Sequence, residues 1–159
     1  MDWVELRSDT FTAPTPAMRA AMAQAEVGDD CWGEDPTANA LQEHCAALFG
    51  KEAGLFVPTG TMGNEASMKA LTNPGEEIIV DAKAHIVLYE KGAPGAISGV
   101  LLRTVDTPDG QLDPDLVASM MRPPNRVTAH TALVWIENTH NQRGGRIVPL
   151  DNIHALAKL

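Results

Sequence analysis

Pro-Thr-Gly-Thr-Met-Gly-Asn occupies residues 58–64, directly after the apolar run Ala-Gly-Leu-Phe-Val at 53–57. The pair reads as a strand ending in a Gly/Thr turn that opens a helix, an arrangement that presents free backbone N–H groups to an anion. A second apolar run, Ile78-Ile79-Val80, leads into Asp-Ala-Lys-Ala-His-Ile-Val-Leu-Tyr-Glu (81–90), which puts His85 just beyond another strand. A phosphate seat at one strand end and an imidazole at the next predict a flat phosphorylated cofactor lying across the strand tips. Taken alone, the Thr59-Gly60-Thr61 turn is more often an ordinary connection than a phosphate site. It is neither a Walker A loop nor a GxGxxG fingerprint, so a cofactor smaller than a nucleotide is expected.

Outward from this stretch, strands and helices alternate. Strands are expected at 53–57, 77–81, 100–105 and 133–137, and helices near 61–72, 84–91, 113–121 and 150–159. Turn chemistry separates them at Asn73-Pro74-Gly75, Ala93-Pro94-Gly95, Pro108-Asp109-Gly110, Pro123-Pro124-Asn125 and Gly144-Gly145. This pattern predicts an α/β fold, a mainly parallel sheet flanked by helices with ligands beyond the strand C-termini. Towards the N-terminus, residues 1–12 are expected to be extended. Thr15-Pro16 and Asp35-Pro36 are helix starts, and Leu41, Cys45 and Leu48 at i, i+4, i+7 mark the second helix, which Gly50 ends.

With 159 residues, 44% of them hydrophobic and 21% charged, the chain has the composition of an ordinary globular domain. A net charge of −9 argues against nucleic acid as a partner. No stretch approaches 18 apolar residues and the first residues lack a signal-peptide pattern, so no membrane span and a cytoplasmic location are expected. Cys31 and Cys45 have no metal or redox spacing and read as buried thiols. His44, His130, His140 and His154 show no metal-ligand spacing, and no metal is expected.

His85 and Glu90 lie five apart, so on one continuous helix they would not stack as an i, i+4 pair. A lone histidine is more often structural, yet its place past a strand end makes a functional reading equally tenable. The loop Gly28-Asp29-Asp30-Cys31-Trp32-Gly33-Glu34-Asp35-Pro36-Thr37 is denser in carboxylates and aromatics than a linker needs, though a solvated loop also explains it.

Five stretches in order resemble the threonine aldolase family of pyridoxal-phosphate enzymes. They are Leu-Arg-Ser-Asp-Thr (6–10), the 27–37 loop, 58–64, Ala-His-x5-Lys-Gly-Ala-Pro (84–94) and Glu-Asn-Thr-His-Asn (137–141). The resemblance implies a fold-type-I, aspartate-aminotransferase-like large domain and pyridoxal 5'-phosphate as cofactor. Thr59, Gly60 and Thr61 would hold its phosphate, and His85 would stack on its ring and help manage the substrate hydroxyl proton. Glu90 would join the surrounding hydrogen-bond network, and Ser8 would contact the amino-acid carboxylate. Trp32 would line the substrate site from a loop that approaches a neighbouring subunit. The implied reaction is Cα–Cβ cleavage of threonine or allo-threonine to glycine and acetaldehyde, in a homodimer or homotetramer. Trp32 replaces a usual tyrosine, and Val127 stands where many members carry histidine, with His130 three residues later. Aldehyde-side proton chemistry and stereopreference are therefore left open.

None of Lys51, Lys69, Lys83, Lys91 or Lys158 matches the family's Schiff-base lysine motif. The expected organisation is an arm over 1–14 and the N-terminal part of the large domain over 15–159, without the C-terminal small domain. The chain alone is expected to be inactive. The alternatives are a related β-eliminating lyase and an inactive truncated binding or scaffolding remnant.

Overall fold

Glu-Ile-Ile-Val-Asp forms strand β1 (Glu77–Asp81), all five residues of which are buried. A strand covered on both faces needs an unbroken apolar centre rather than alternation, and Ile78-Ile79-Val80 supplies it. The computed structural model describes residues 4–159. The expected arm therefore lies outside the described residues at positions 1–3. β1 pairs in parallel with β2 (Leu101–Val105) on one side and β3 (Thr131–Trp135) on the other. Ile78 stands opposite Leu102 and Leu133; beside it, Glu77 opposes Thr131, so the register skips Ala132.

Among the described residues, six α-helices accompany the sheet strands: α1 (Pro16–Gln24), α2 (Pro36–Phe49), α3 (Gly60–Leu71), α4 (His85–Leu88), α5 (Pro114–Met120) and α6 (Leu150–Leu156). Their starts follow from capping chemistry. Thr15, Asp35, Thr59 and Asp113 each accept a backbone N–H of the first turn, and three of the four precede a proline at the first helical position. Gly50 closes α2 in the left-handed conformation (φ 62°), which a side chain would disfavour.

The chain divides into two units, the first running to Phe56 and the second spanning Val57–Leu159. In the second, Ile78 and Val80 pack with Met68 of α3, Ile86 of α4 and Val100 on one face of the sheet. Ile79 points the other way, into Val105, Leu112, Val117 of α5 and Leu156 of α6. Full burial of each such side chain contributes about 1.5–3 kcal/mol. At the strand entry, buried Glu77 is matched by Arg122 at 2.8 Å, Arg103 at 3.4 Å and the Thr131 hydroxyl at 2.9 Å. The first unit buries far less: Ala46 is its one buried apolar residue among those described, while Leu6, Met22, Leu48 and Phe49 are exposed.

Several expectations are corrected. Residues 53–57 form no strand; Leu55 and Phe56 are exposed, and the Phe56 N–H is taken by the Gln42 side chain at 2.9 Å. The helix expected over 84–91 stops at Leu88, and the expected turn at 93–95 opens a π-helical turn, Pro94–Ser98. β3 begins two residues early because the Glu77 N–H bonds His130 O and the Thr131 N–H bonds Arg122 O. A 3-10 turn, Asp9–Phe11, interrupts the extended N-terminal run. Cys31 is exposed and Cys45 half-buried, so neither is the buried thiol expected. No helix among the described residues is long and apolar enough to cross a membrane.

Candidate active site

β1 is central, with β2 on one flank and β3 on the other, so the chain reverses its direction across the sheet at the C-terminal end of β1. Open parallel sheets bind ligands at such a point. His85 opens α4 four residues past β1, and Glu137 follows β3 by two residues. The two meet there: the His85 N–H donates to Glu137 Oε2 at 2.5 Å, and Glu137 Oε1 accepts from the Asn141 N–H at 2.9 Å. One carboxylate thereby ties the loop after β1 to the loop after β3.

The side chain of His85 turns to Glu90. Its Nδ1 lies 2.8 Å from Glu90 Oε1, and the same oxygen accepts from Asn64 Nδ2 at 2.7 Å. Asn64 is the fifth residue of α3, so Glu90 joins the first turns of that helix to the histidine. The five-residue spacing permits this because α4 ends after one turn and the chain folds back through Tyr89. Lys91 (φ 51°) and Gly92 (φ 74°) then continue it in the left-handed region. Glu90's side chain is fully buried while that of His85 is 41% exposed, so the imidazole has one anchored nitrogen and one open side. The Tyr89 ring centroid sits 5.4 Å from the His85 ring, and the Tyr89 hydroxyl accepts from Gln142.

At the start of α3 the Thr59 hydroxyl accepts from the Met62 N–H at 3.1 Å, and Thr59 O accepts from Gly63 N–H at 3.1 Å. Among the described residues nothing accepts from the N–H groups of Gly60 and Thr61. A Cβ at Gly60 would meet nothing within 4 Å, so there is open space beside the start of the helix. Two free N–H groups on the positive end of a twelve-residue helix suit an anion. An open groove of about 470 Å³ runs from Thr59 and Thr61 along α3 past Glu65 to Lys69 and Ile97.

Glu65 is only 5% exposed. Burial, then the hydrogen bond and charge of Glu90, push its carboxyl up to about 7. A second buried cluster holds the strand ends together. Asp81 accepts from the Thr107 hydroxyl at 2.7 Å, lies 3.0 Å from fully buried His140 Nε2, and has Arg143 at 3.8 Å. Burial alone would raise Asp81; the Thr107 hydroxyl, the Lys83 N–H, His140 and Arg143 together outweigh it and hold the carboxyl below its ordinary value.

Of the residues expected from sequence, His85, Glu90 and the turn at Thr59, Gly60 and Thr61 fall in the second unit, with Glu90 connecting His85 to α3. Ser8 and Trp32 belong to the first unit. The Ser8 hydroxyl caps the short 3-10 turn, accepting from Thr10 N–H at 3.3 Å, and Trp32 is 80% exposed. Val127 is also exposed. Sequence reasoning gave no roles to Asn64, Glu65, Tyr89, Glu137 or the Asp81–His140 pair. Two signals were available: Asn64, Glu137 and His140 lie in the family-resembling stretches 58–64 and 137–141, and Asp81 ends a strand.

The chain is similar to known proteins over most of its length. Low-specificity L-threonine aldolase 1 of Arabidopsis thaliana is 45% identical over 152 residues, covering 93% of this chain and 42% of that protein. The low specificity L-threonine aldolase of Escherichia coli (strain K12) is 44% identical over 147 residues, covering 92% of this chain and 43% of that protein. A solved threonine aldolase from Leishmania major matches with a TM-score of 0.69 at 24% identity, over 89% of this chain and 42% of that chain, and so shares the fold. The architecture is the parallel-sheet, fold-type-I arrangement expected from the sequence. The beta-eliminating lyase family model matches residues 5–159, and the chain belongs to that family. It spans 42–43% of the length of these two curated relatives.

Proposed function

We propose that this chain supplies the phosphate seat and the proton-handling histidine of a pyridoxal-phosphate lyase that cleaves β-hydroxy-α-amino acids at Cα–Cβ. The observation that carries this reading is the shared oxygen of Glu90, which couples the anion-binding end of α3 to His85. The residues fit the cofactor: the free N–H groups of Gly60 and Thr61, with the Thr61 hydroxyl, would hold its phosphate beside an open space. Bound there, pyridoxal phosphate supplies an electron sink for carbon–carbon cleavage. With Glu90 ionised, its Oε1 only accepts, so His85 Nδ1 keeps a proton and Nε2 is free to take one from a substrate hydroxyl. Glu137 holds the backbone of His85 in place. Ser8 is assigned to the substrate carboxylate and Trp32 to the substrate pocket, on the family resemblance.

Threonine or allo-threonine is the proposed substrate, giving glycine and acetaldehyde. The exposed apolar side chains of α1 and α2 favour assembly with further protein surface, consistent with a homodimer or homotetramer. No lysine of this chain is assigned to covalent capture, so turnover is assigned to the whole protein and the chain alone is expected to be inactive. In the whole protein, His85→Ala is expected to lower kcat by 10²–10⁴-fold while cofactor remains bound, the range typical of lost acid–base catalysis. Unchanged turnover at saturating cofactor would reduce His85 to a packing residue.

The family description favours a second reading, a β-eliminating lyase acting on the same site. Product analysis separates the two. Glycine plus aldehyde supports the aldolase, and ammonia plus a keto acid supports elimination.

A further inference from the structure

Glu65 follows Asn64 on α3, and neither of its buried carboxyl oxygens has a partner among the described residues. Glu90 Oε2 is buried and unpartnered too, and the two carboxyls lie within hydrogen-bond reach of each other. Two ionised carboxylates held this way, out of water, would repel and leave three acceptors unpaired. A single proton changes both terms, because it turns facing acceptors into one O–H···O bond. Which carboxyl keeps the proton follows from their other bonds. Glu90 Oε1 already accepts from Asn64 and faces His85 Nδ1, so Glu90 is engaged as an acceptor. Glu65 accepts none, so the proton belongs on Glu65.

We propose that Glu65 is a positioning residue: it holds the one proton shared by the two carboxyls, donates it to Glu90 Oε2, and leaves the pair a single negative charge. That charge fixes His85 with Nδ1 as donor and Nε2 free. Of the ionisable groups in the described residues, Glu90 acts on Glu65 directly; His85 stands against Glu90 on its other oxygen, and Lys69, one turn further along α3, lines the same groove. Lys69 does not take over the proton's role, since its Nζ donates to Ile97 O at 3.2 Å. Ionisation of Glu65, to which burial and Glu90 assign a midpoint of about 7, would place a second charge behind His85 and disturb this arrangement. The value of this device to catalysis rests on the proposed role of His85; the proton's location does not.

Infrared difference spectra of the chain across a pH titration test the proton, and nitrogen-15 NMR of His85 tests its consequence. Both are read without cofactor or turnover, so a failed functional reading would leave them standing. A protonated-carboxyl band that disappears with a midpoint near 7 is expected in the wild type and absent in Glu65→Gln. The His85 ring resonances should move with the same midpoint in the wild type. In Glu65→Gln, which keeps a donor to Glu90 but cannot ionise, the part of the ring shift that follows the carboxyl band should vanish, leaving only the imidazole's own response to pH. Glu65→Leu, which removes the donor, should lose that ring signature. A wild type without the band, a band surviving in Glu65→Gln, or a wild-type ring signature in Glu65→Leu would each overturn the proposal.

Discussion

His85 and Glu90 show how a five-residue separation becomes a contact. A continuous helix would direct the two side chains to different faces, and only the early stop of α4 at Leu88 lets Glu90 return. Gly110 plays the complementary part at the Asp81–His140 cluster. Its φ is 83°, and a Cβ there would lie 2.4 Å from the His140 ring. Gly110→Ala is therefore expected to destabilise the chain by about 1–3 kcal/mol, the usual cost of overpacking a fixed interior. Chemical denaturation measures this, and a variant as stable as wild type would mean that His140 moves freely. The histidine itself was visible in the sequence as part of Glu-Asn-Thr-His-Asn. Its burial was not, because that depends on Asp81, 59 residues earlier, receiving it.

At the scale of elements, the helix starts were the most legible features. Thr15-Pro16, Asp35-Pro36 and the turn at Thr59 announce caps by local chemistry, and each forms a helix where the chemistry predicts one. The segment 53–57 was misread for a nonlocal reason. Its apolar run Leu55-Phe56-Val57 reads like the apolar centre of β1, but a strand requires a neighbour to pair with, and an apolar run does not reveal one. Glu65 was illegible for the same kind of reason: an acid inside a helix reads as solvated until a later segment covers it. Thr59→Ala should cost about 0.5–2 kcal/mol through the lost bond to the Met62 N–H. Thermal unfolding checks the helix. Phosphate titration by NMR on the Gly60 and Thr61 amides then checks whether the fraying also weakens the anion seat. An unaltered melting curve would show that the cap is redundant.

Across the whole molecule, two buried carboxyls set opposing pH limits. Asp81 is held below its ordinary value, so the stability it contributes is present above that value and is lost as acid drives the pH down through the folded-state value. Glu65 is raised from 4.5 to about 7, so the folded chain binds its proton more tightly than the unfolded one. Stability should therefore fall as pH rises between those values, by on the order of 3 kcal/mol. Glu65→Gln is expected to flatten that descent while leaving the acid limb intact, and denaturant midpoints across the range will show whether it does. In the sheet, Ile79→Ala opens a void between β1, α5 and α6 and should cost about 2–5 kcal/mol.

β1 has a neighbour on each side and helices over each face, so each of its amides can meet solvent only when the flanking strand it bonds detaches from the packed sheet. Local fluctuation offers no such route, and deuterium uptake at Ile78, Ile79 and Val80 should proceed only through global opening. His85 hangs four residues beyond that strand, with its own amide held by Glu137. Its amide is therefore expected to exchange on nearly the same slow clock as the strand, while the N-terminal turn of α3 exchanges quickly. The ligand-facing donors would then be free to adjust from moment to moment around an imidazole whose position lasts as long as the fold.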